Sequence, residues 1–459
     1  MTTLDMNASI QYGADPALGE LLPPLADELE RHEARVPMFV TLFIGLFAAS
    51  AMVIGDHPDY AKITYYLGIV CGLMAGLFYF RLSPSIPVPV LLYASFVIWA
   101  LMSGVLSEYQ ELAMMSLRTL VQFFLMVFTF STLCQDRRSL WIVGAWVALG
   151  AIANALWGLL AGERYTSDDQ TRIEGLLHSP NSVALMFSVG LCVLWAGVAA
   201  TRRMWLKVLL FAPILLLLVG IVRTGSRGAS VATGLGIVYM LWHFRSRIIH
   251  SPAAIIALVL SVVIGIGSVG PWLMSTSLGK RLQASVETAG GDISKREGST
   301  WYRMQLKQWA LETAVTHPIF GVGRNCFWQY GRSRGEWDQT THDNYMSILA
   351  ETGLPGFLLF FSMYAWIWFK SAKLKKSPLL TGSEPDALFF VRAVLLVLMV
   401  ADLFDDTTWS NKTVWVLMAL GIGWLQGLQR RVAQREEALM QWAPLDSGRA
   451  PAGALATTR

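Results

Sequence analysis

Residues 206–230 read LKVLLFAPILLLLVGIVRTGSRGAS. Apart from Lys207, everything from Leu206 to Val222 is apolar, and a second apolar run starts at Gly228. Only Arg223-Thr224-Gly225-Ser226-Arg227 separates the two. A lipid bilayer needs roughly 20 apolar residues per crossing helix, so this stretch reads as two membrane spans joined by a very short polar turn. Working outward by hydropathy, twelve such windows occur: 36–54, 62–80, 87–106, 115–134, 140–161, 182–200, 206–222, 228–243, 253–274, 354–369, 387–404 and 412–427. With 54% hydrophobic and only 15% charged residues among 459, and a mean hydropathy of +0.47, the chain is too apolar for a soluble globule of this length. The fold class expected is all-α: a polytopic transmembrane protein of about 12 helices with an extramembrane helical insertion.

The net charge of +4 is small, so its distribution carries the information. Orientation follows the side on which Lys and Arg collect in short loops. Arg31, Arg35, Arg81, Arg137, Arg138, Arg202, Arg203, Lys207, Arg245, Arg247, Lys370, Lys373, Lys375, Lys376, Arg430, Arg431 and Arg435 fall on one side of the twelve-span arrangement, which reads as cytoplasmic. The alternate loops carry Asp56 and Asp59, Glu108 and Glu111, or Asp405 and Asp406. The expected organisation is a cytoplasmic tail at 1–35, nine spans within 36–274, an external loop domain at 275–344, three spans within 345–435 and a cytoplasmic tail at 436–459. The polar first 35 residues predict no cleavable signal peptide, the first helix directing insertion. Of the four cysteines, Cys71 and Cys192 fall mid-helix, Cys134 near the inner face and Cys326 outside, a pattern that predicts neither a disulfide framework nor a thiolate metal site. No internal repeat is evident, which counts against a secondary transporter.

The insertion is the one long polar interruption. Ser299–Thr316 has helical spacing, with Trp301, Leu311, Ala314 and Val315 apolar and Arg303 and Lys307 four residues apart on one face. Pro318 and Gly321–Gly323 end that helix. The insertion closes with Thr341-His342-Asp343-Asn344-Tyr345 and returns to apolar sequence through Glu351-Thr352-Gly353-Leu354-Pro355-Gly356. A helix with His342 in its first turn and a stop at Gly353 is predicted. The positive potential of that helix end favours a neutral imidazole able to accept a proton. The competing reading is a surface histidine that caps or decorates the helix. His57, His178 and His317 carry no assigned role.

External arginines run against the positive-inside bias. Arg223 and Arg227 flank a turn in which Ser226 is the candidate N-cap, and free N–H groups at a glycine-containing helix start form a cradle for phosphate. Two guanidinium forks beside it suit a diphosphate; alternatively they snorkel from a tight hairpin to water or lipid phosphates. Arg118 stands about one turn inside its helix, facing either a polar cavity or Glu108 and Glu111. Arg172 and Arg303 complete the set, as ligand contacts or solvated surface residues. Asp56-His57-Pro58-Asp59 and Asp402, Asp405 and Asp406 are the acidic clusters, and neither holds a full ligand set for a divalent ion. The expectation is no metal and no cofactor.

Arg172 to Asn181 (with Gly175 and Pro180-Asn181), the Arg223–Ser230 turn, Trp301-Tyr302-Arg303 through His317-Pro318-Ile319-Phe320-Gly321-Val322-Gly323, and His342 through Gly356 together resemble the O-antigen ligase and polymerase superfamily of membrane glycosyltransferases. The resemblance covers roughly residues 160–370. It implies transfer of a glycan from a polyprenyl diphosphate, undecaprenyl diphosphate, to a sugar acceptor at the periplasmic face of a bacterial inner membrane, without nucleotide sugar, metal or nucleic acid. By that likeness His342 is the general base, and Arg223, Arg227 and Arg303 hold the diphosphate, with Arg118 and Arg172 as further candidates. Ser226, Asp343 and Asn344 stand as possible support, and the anomeric centre inverts. Asp343 departs from the amide-like residue of many relatives. The function expected is O-antigen ligation to lipid A-core oligosaccharide. The alternatives with the same donor are a polymerase and a protein O-oligosaccharyltransferase. From other classes come a lipid-linked sugar transporter, which needs charges at the bilayer midplane, and a metal-dependent glycosyltransferase using Asp56 and Asp59.

Overall fold

The computed structural model describes residues 36–54, 61–82, 86–161, 164–167, 170–177, 179–201, 203–249, 274, 276, 278–280, 283, 298–405 and 412–442. The expected span at 253–274 (except Met274), Asp56, His57, Asp59, His178, Arg202, Asp292–Glu297, Asp406, the 1–35 tail and the tail beyond Trp442 lie outside the described residues.

In chain order the helices are α1 (Met38–Ile54), α2 (Ala61–Leu82), α3 (Val88–Leu106), α4 (Gln110–Leu133), α5 (Arg137–Leu160), α6 (Pro180–Ala200), α7 (Met204–Thr224), α8 (Arg227–Ile249), α9 (Gly298–Thr316), α10 (Phe327–Ser333), α11 (Asn344–Leu374), α12 (Glu384–Ala401) and α13 (Lys412–Trp442). Six of the described helices, α3 to α7 and α11, are long and apolar enough to cross a membrane. The chain is thus an all-α, multi-pass membrane protein. Two of the differences from expectation have local causes. Arg164–Ser167 and Gln170–Ile173 pair as a small antiparallel hairpin, and Tyr165, Thr166, Thr171 and Ile173 are residue types that favour strands. The last helix runs to Trp442, past the boundary expected at 436, because Ala433 to Gln441 contains no glycine or proline to stop it.

Local sequence explains the helix ends. Asp136 caps α5 by accepting from the Ser139 N–H at 2.6 Å. Ser179 caps α6, with Pro180 in the first helical position. Gly225, left-handed at φ +64°, ends α7 and releases the chain into α8 two residues later. Helix α6 packs against α5, α7, α8 and α12, and 61% of its most apolar window is buried, against 22% for α7. The first is therefore central to the bundle and the second lies at its edge, with Leu209 and Leu215 exposed.

Contacts between distant segments sort the loops onto two ends. At one end Arg431 donates to the Gln135 carbonyl and to Glu384, and Arg435 donates to Glu384 through two nitrogens and to the Leu379 carbonyl. All three charged groups are buried. At the other end the α3–α4 loop, the α7–α8 turn, the 317–344 segment and the turn after α12 meet. This division agrees with the basic and acidic loops separated by sequence. The 298–344 segment has a small core of its own with the start of α11, in which Leu306 and Ala310 of α9, Phe327 of α10, Trp337 and Ala350 pack together. Trp309 and Trp337 stack at 4.9 Å between ring centroids.

The predicted stop at Gly353 is a break within α11, not its end. Gly353 adopts φ +68°, ψ −177°, a region essentially confined to glycine, and helix resumes at once. The carbonyls freed there find donors: Gly323 N–H reaches the Glu351 carbonyl and Val322 N–H that of Ala350, each at 3.0 Å. From α3, Ser103 donates to Glu351 (3.0 Å) and Trp99 to Thr352 (2.9 Å). The Leu354 N–H in turn reaches the Pro318 carbonyl at 2.8 Å. A β-carbon on Gly353 would overlap the Ile319 carbonyl, and one on Gly321 would overlap the Glu351 backbone. The two glycine-rich motifs are therefore halves of one junction between the insertion and the bundle.

Candidate functional site

Three consecutive residues after α12 each hold a different part of the predicted site. The Asp402 carbonyl accepts from the Asn344 N–H at 2.8 Å, two residues after His342. The Leu403 carbonyl accepts from Lys307 Nζ at 2.7 Å, one helical turn from Arg303 on the same face of α9. The third, Phe404, lies against Gly228, where a β-carbon would overlap its own Cβ; Gly228 follows Arg227. Asn344, Lys307 and Gly228, neighbours of His342, Arg303 and Arg227 and far apart in sequence, thus meet on one short turn.

Arg223 is exposed on the last turn of α7, and Arg227, partly buried, opens α8. Between them Gly225 and Ser226 are buried, and the Ser226 carbonyl accepts from the Ser230 N–H, so the backbone of Ser226 starts the helix as expected of an N-cap. Arg172, at 8% exposure, donates from Nε to the Thr224 carbonyl at 2.7 Å and from a terminal nitrogen to Asn181 Oδ1 at 3.4 Å. It satisfies an orphan carbonyl at the end of α7 and so braces the arginine turn from behind. The Gly175–Asn181 motif serves the same bracing. Asn154 of α5 accepts from the Leu176 N–H at 3.1 Å and lies so close to Gly175, at φ +60°, that no side chain fits there. Arg118 takes no part in the described contacts of the Asp402–Phe404 turn. Its exposed guanidinium lies 5.5 Å from the ring centroid of Tyr65 on α2, so the α2–α4 flank holds it.

His342 does not occupy the first turn of the helix as the sequence suggested. Helix α11 starts at Asn344, Asp343 is its N-cap, and His342 precedes the cap in a left-handed conformation at φ +51°. The carboxylate of Asp343 takes the cap because it accepts the Met346 N–H at 3.0 Å while pairing with Lys307 Nζ at 2.7 Å. Thr341, fully buried, accepts from the Asp343 N–H through its hydroxyl at 3.1 Å. His342 is therefore a partly exposed side chain on a backbone fixed on both sides, the geometry of a presented group. Asp343 has a structural part that an amide would fill only in half: the cap without the ion pair.

Sequence reasoning passed over two groups. Lys307 stood on the right face of α9 without a role, although its spacing from Arg303 was the signal. Arg324 and Glu351 form a buried ion pair at 3.2 Å, and Glu351 also accepts the Asn325 N–H at 2.9 Å. Both are less than 5% exposed, and removing one partner of such a pair costs about 3–5 kcal/mol. The pair locks the Gly321–Gly323 loop to the break in α11. Its signal was an acid at Glu351 in otherwise apolar sequence. Among the described residues no group of three or more His, Cys, Asp or Glu side chains is arranged to hold a metal ion.

The fold and this arrangement define a class: a multi-pass helical membrane protein in which the 298–344 segment packs at one end of the bundle and carries a histidine and several cations. Residues 212–361 match the family model described as O-Antigen ligase. The matched segment runs from α7 into α11 and contains Arg223, Arg227, Arg303 and His342, and it bears out the resemblance to the O-antigen ligase and polymerase superfamily. That family indicates an enzyme of the glycosyltransferase-like ligase or polymerase type, with lipid-linked glycan and lipid as partners. None of the curated proteins matches the chain.

Proposed function

We propose that this protein is an inverting, metal-independent glycosyltransferase that moves O-antigen glycan from undecaprenyl diphosphate to lipid A-core oligosaccharide at the periplasmic face of a bacterial inner membrane. What supports this reading is that the segment matched as O-Antigen ligase holds His342, Arg303 and the Arg223–Arg227 turn, and that Asn344, Lys307 and Gly228 beside them all contact the Asp402–Phe404 turn, which follows that segment in the chain. In this reading Arg223, Arg227 and Arg303 bind the diphosphate and stabilise the charge that develops on it as the glycosidic bond breaks, an electrostatic role suited to a water-poor pocket. His342 accepts the proton of the acceptor hydroxyl as that oxygen attacks the anomeric carbon from the face opposite the leaving diphosphate. The new glycosidic bond forms, the diphosphate leaves with its electron pair, and configuration inverts.

The test supplies purified protein in lipid with labelled carrier-linked glycan and one of three acceptors: lipid A-core, a second carrier-linked glycan or a Ser/Thr-rich protein. Labelled lipid A-core supports ligation, whereas label on the other two acceptors assigns polymerase or protein transferase. His342→Ala is expected to lose transfer by at least about 10²-fold, the lower end for a positioned general base, with donor binding retained. Wild-type turnover in that variant removes His342 from the chemistry.

A further inference from the structure

Helix α9 is apolar on two opposite sides. Leu306 and Ala310 turn inward to the small core beneath it. On the far side Trp301, Met304, Leu311 and Val315 are exposed, Met304 by 67% and Val315 by 72%. At 3.6 residues per turn these four fall within about 80° of the helix circumference, so they form a stripe and not a scatter. Gln308 alone interrupts it, and its amide is drawn aside to Glu312 at 3.2 Å. An apolar stripe of this length on a polar extramembrane segment calls for a cover.

What lies at the two ends of the stripe says which cover. Beyond Val315 the chain leads to Ile319, exposed, and the Pro318 carbonyl bonds the N–H of Leu354, which with Leu358 is exposed on the membrane-crossing part of α11. Beside Met304, Lys307 reaches the carbonyl of Leu403, which with Phe404 is exposed at the end of α12. The stripe is thus continuous at both ends with the apolar flanks of bundle helices, across a helix of about 28 Å. Lys307 borders it on the site side, about 40° round from Leu311, and Arg303 follows about 40° further toward the core. Apolar residues on one face with cations at the edge are the features of a helix lying in the headgroup boundary of a bilayer.

We propose that α9 is an interfacial helix, seated on the outer leaflet of the membrane through Trp301, Met304, Leu311 and Val315. This assignment is independent of the glycosyl-transfer reading. It fixes the level of the cation face and of His342 at the lipid headgroups.

All four native cysteines are buried, and burial together with the nearby Glu351 carboxylate raises the Cys326 thiol to about 12, so an introduced surface cysteine is labelled selectively. Met304→Cys, Leu311→Cys and Val315→Cys, each spin-labelled on the full chain in phosphatidylethanolamine/phosphatidylglycerol vesicles, are compared with Glu336→Cys as a water control and Leu358→Cys as a lipid control. The ratio of oxygen to nickel-chelate collision rates is expected to exceed that of Glu336→Cys several-fold at all three positions and to approach that of Leu358→Cys. A ratio equal to the water control places the stripe in solvent and overturns the proposal. Collapse of both collision rates means a protein surface covers it, and overturns the proposal equally. These side chains are exposed, so their replacement leaves the core intact, and agreement of two of the three positions suffices to uphold or overturn the assignment.

Discussion

Replacing Gly353 by alanine puts the junction between insertion and bundle under direct load. Two costs arise. An L residue at φ +68°, ψ −177° carries about 1–3 kcal/mol of backbone strain. The added Cβ also meets the carbonyls of Ile319 and Pro318. Neither retreats freely, because the Pro318 carbonyl accepts from Leu354 N–H and the adjacent Phe320 carbonyl from Ser103 at 2.5 Å. Losing one or two of these bonds costs about 1 kcal/mol each. Together these weigh about 2–5 kcal/mol against the junction. Gly335 supplies the control: it is also left-handed, at φ +71°, but a Cβ there meets nothing, so Gly335→Ala costs only the conformational penalty, about 1–2 kcal/mol. Thermal unfolding of both variants in lipid nanodiscs, followed by tryptophan fluorescence, is expected to rank wild type above Gly335→Ala and both clearly above Gly353→Ala. Transfer activity should fall with Gly353→Ala alone. Equal melting of the two alanine variants refutes the close-approach argument, and wild-type melting of Gly353→Ala refutes the whole account of the break.

Asp343→Ala removes both the helix cap and the partner of Lys307 and is expected to lower stability by about 1–2 kcal/mol, while Asp343→Asn keeps the cap and loses less than half of that; unfolding midpoints of the pair decide it. Arg172→Ala strips a charged donor from the Thr224 carbonyl and is expected to cost about 1.5–3 kcal/mol, whereas Arg118→Ala, exposed over Tyr65, should cost about 1 kcal/mol or less; the same melts compare them. At the opposite end, burial raises the Glu384 carboxyl, but hydrogen bonds from Arg435 and the Thr381 N–H and the charges of Arg435 and Arg431 outweigh it and hold it below its ordinary value. A carboxylate with a depressed pKa stabilises the fold fully above its unfolded pKa of about 4.3 and loses that contribution as pH falls toward the folded value. Wild-type stability should therefore drop below about pH 4.5 by a share that Glu384→Gln, less stable at neutral pH, does not lose; parallel pH curves for the two proteins contradict this.

Much of this was legible in the sequence because it is local. Apolar windows mark six of the described helices as long and apolar enough to span, fewer than the twelve expected, and the charge of alternate loops separates the two ends of the bundle as the contacts do. The α9 helix follows from spacing, and glycine marked Gly353 as an interruption, although as a stop and not as the break within α11 that the structure has. The convergence at Asp402–Phe404 was not legible. It joins α8, α9 and α11 through two backbone carbonyls and a glycine contact, and a carbonyl has no residue identity for a sequence to display. Asp402 drew attention only as a member of an acidic cluster, whereas its backbone takes part in the assembly. The inward and outward apolar faces of α9 likewise cancel in any one-sided periodicity, so the exposed stripe emerges only once Leu306 and Ala310 are seen to be buried.

The misplacement of His342 by two residues is the most instructive of these differences, because it changes what the histidine is able to do. A ring in the first turn of α11 would lie along the helix, its reach limited by its neighbours. Placed before the cap, His342 stands on a left-handed residue between Thr341 and Asp343, both buried and both hydrogen-bonded. The carboxylate at position 343 has a physical consequence of its own. A carboxylate there caps α11 and also draws Lys307 across from α9, and with it the helix that carries Arg303. In this chain the position after the histidine couples the proposed base to the proposed diphosphate clamp, which is why Asp343→Asn should separate cap stability from transfer rate where Asp343→Ala loses both.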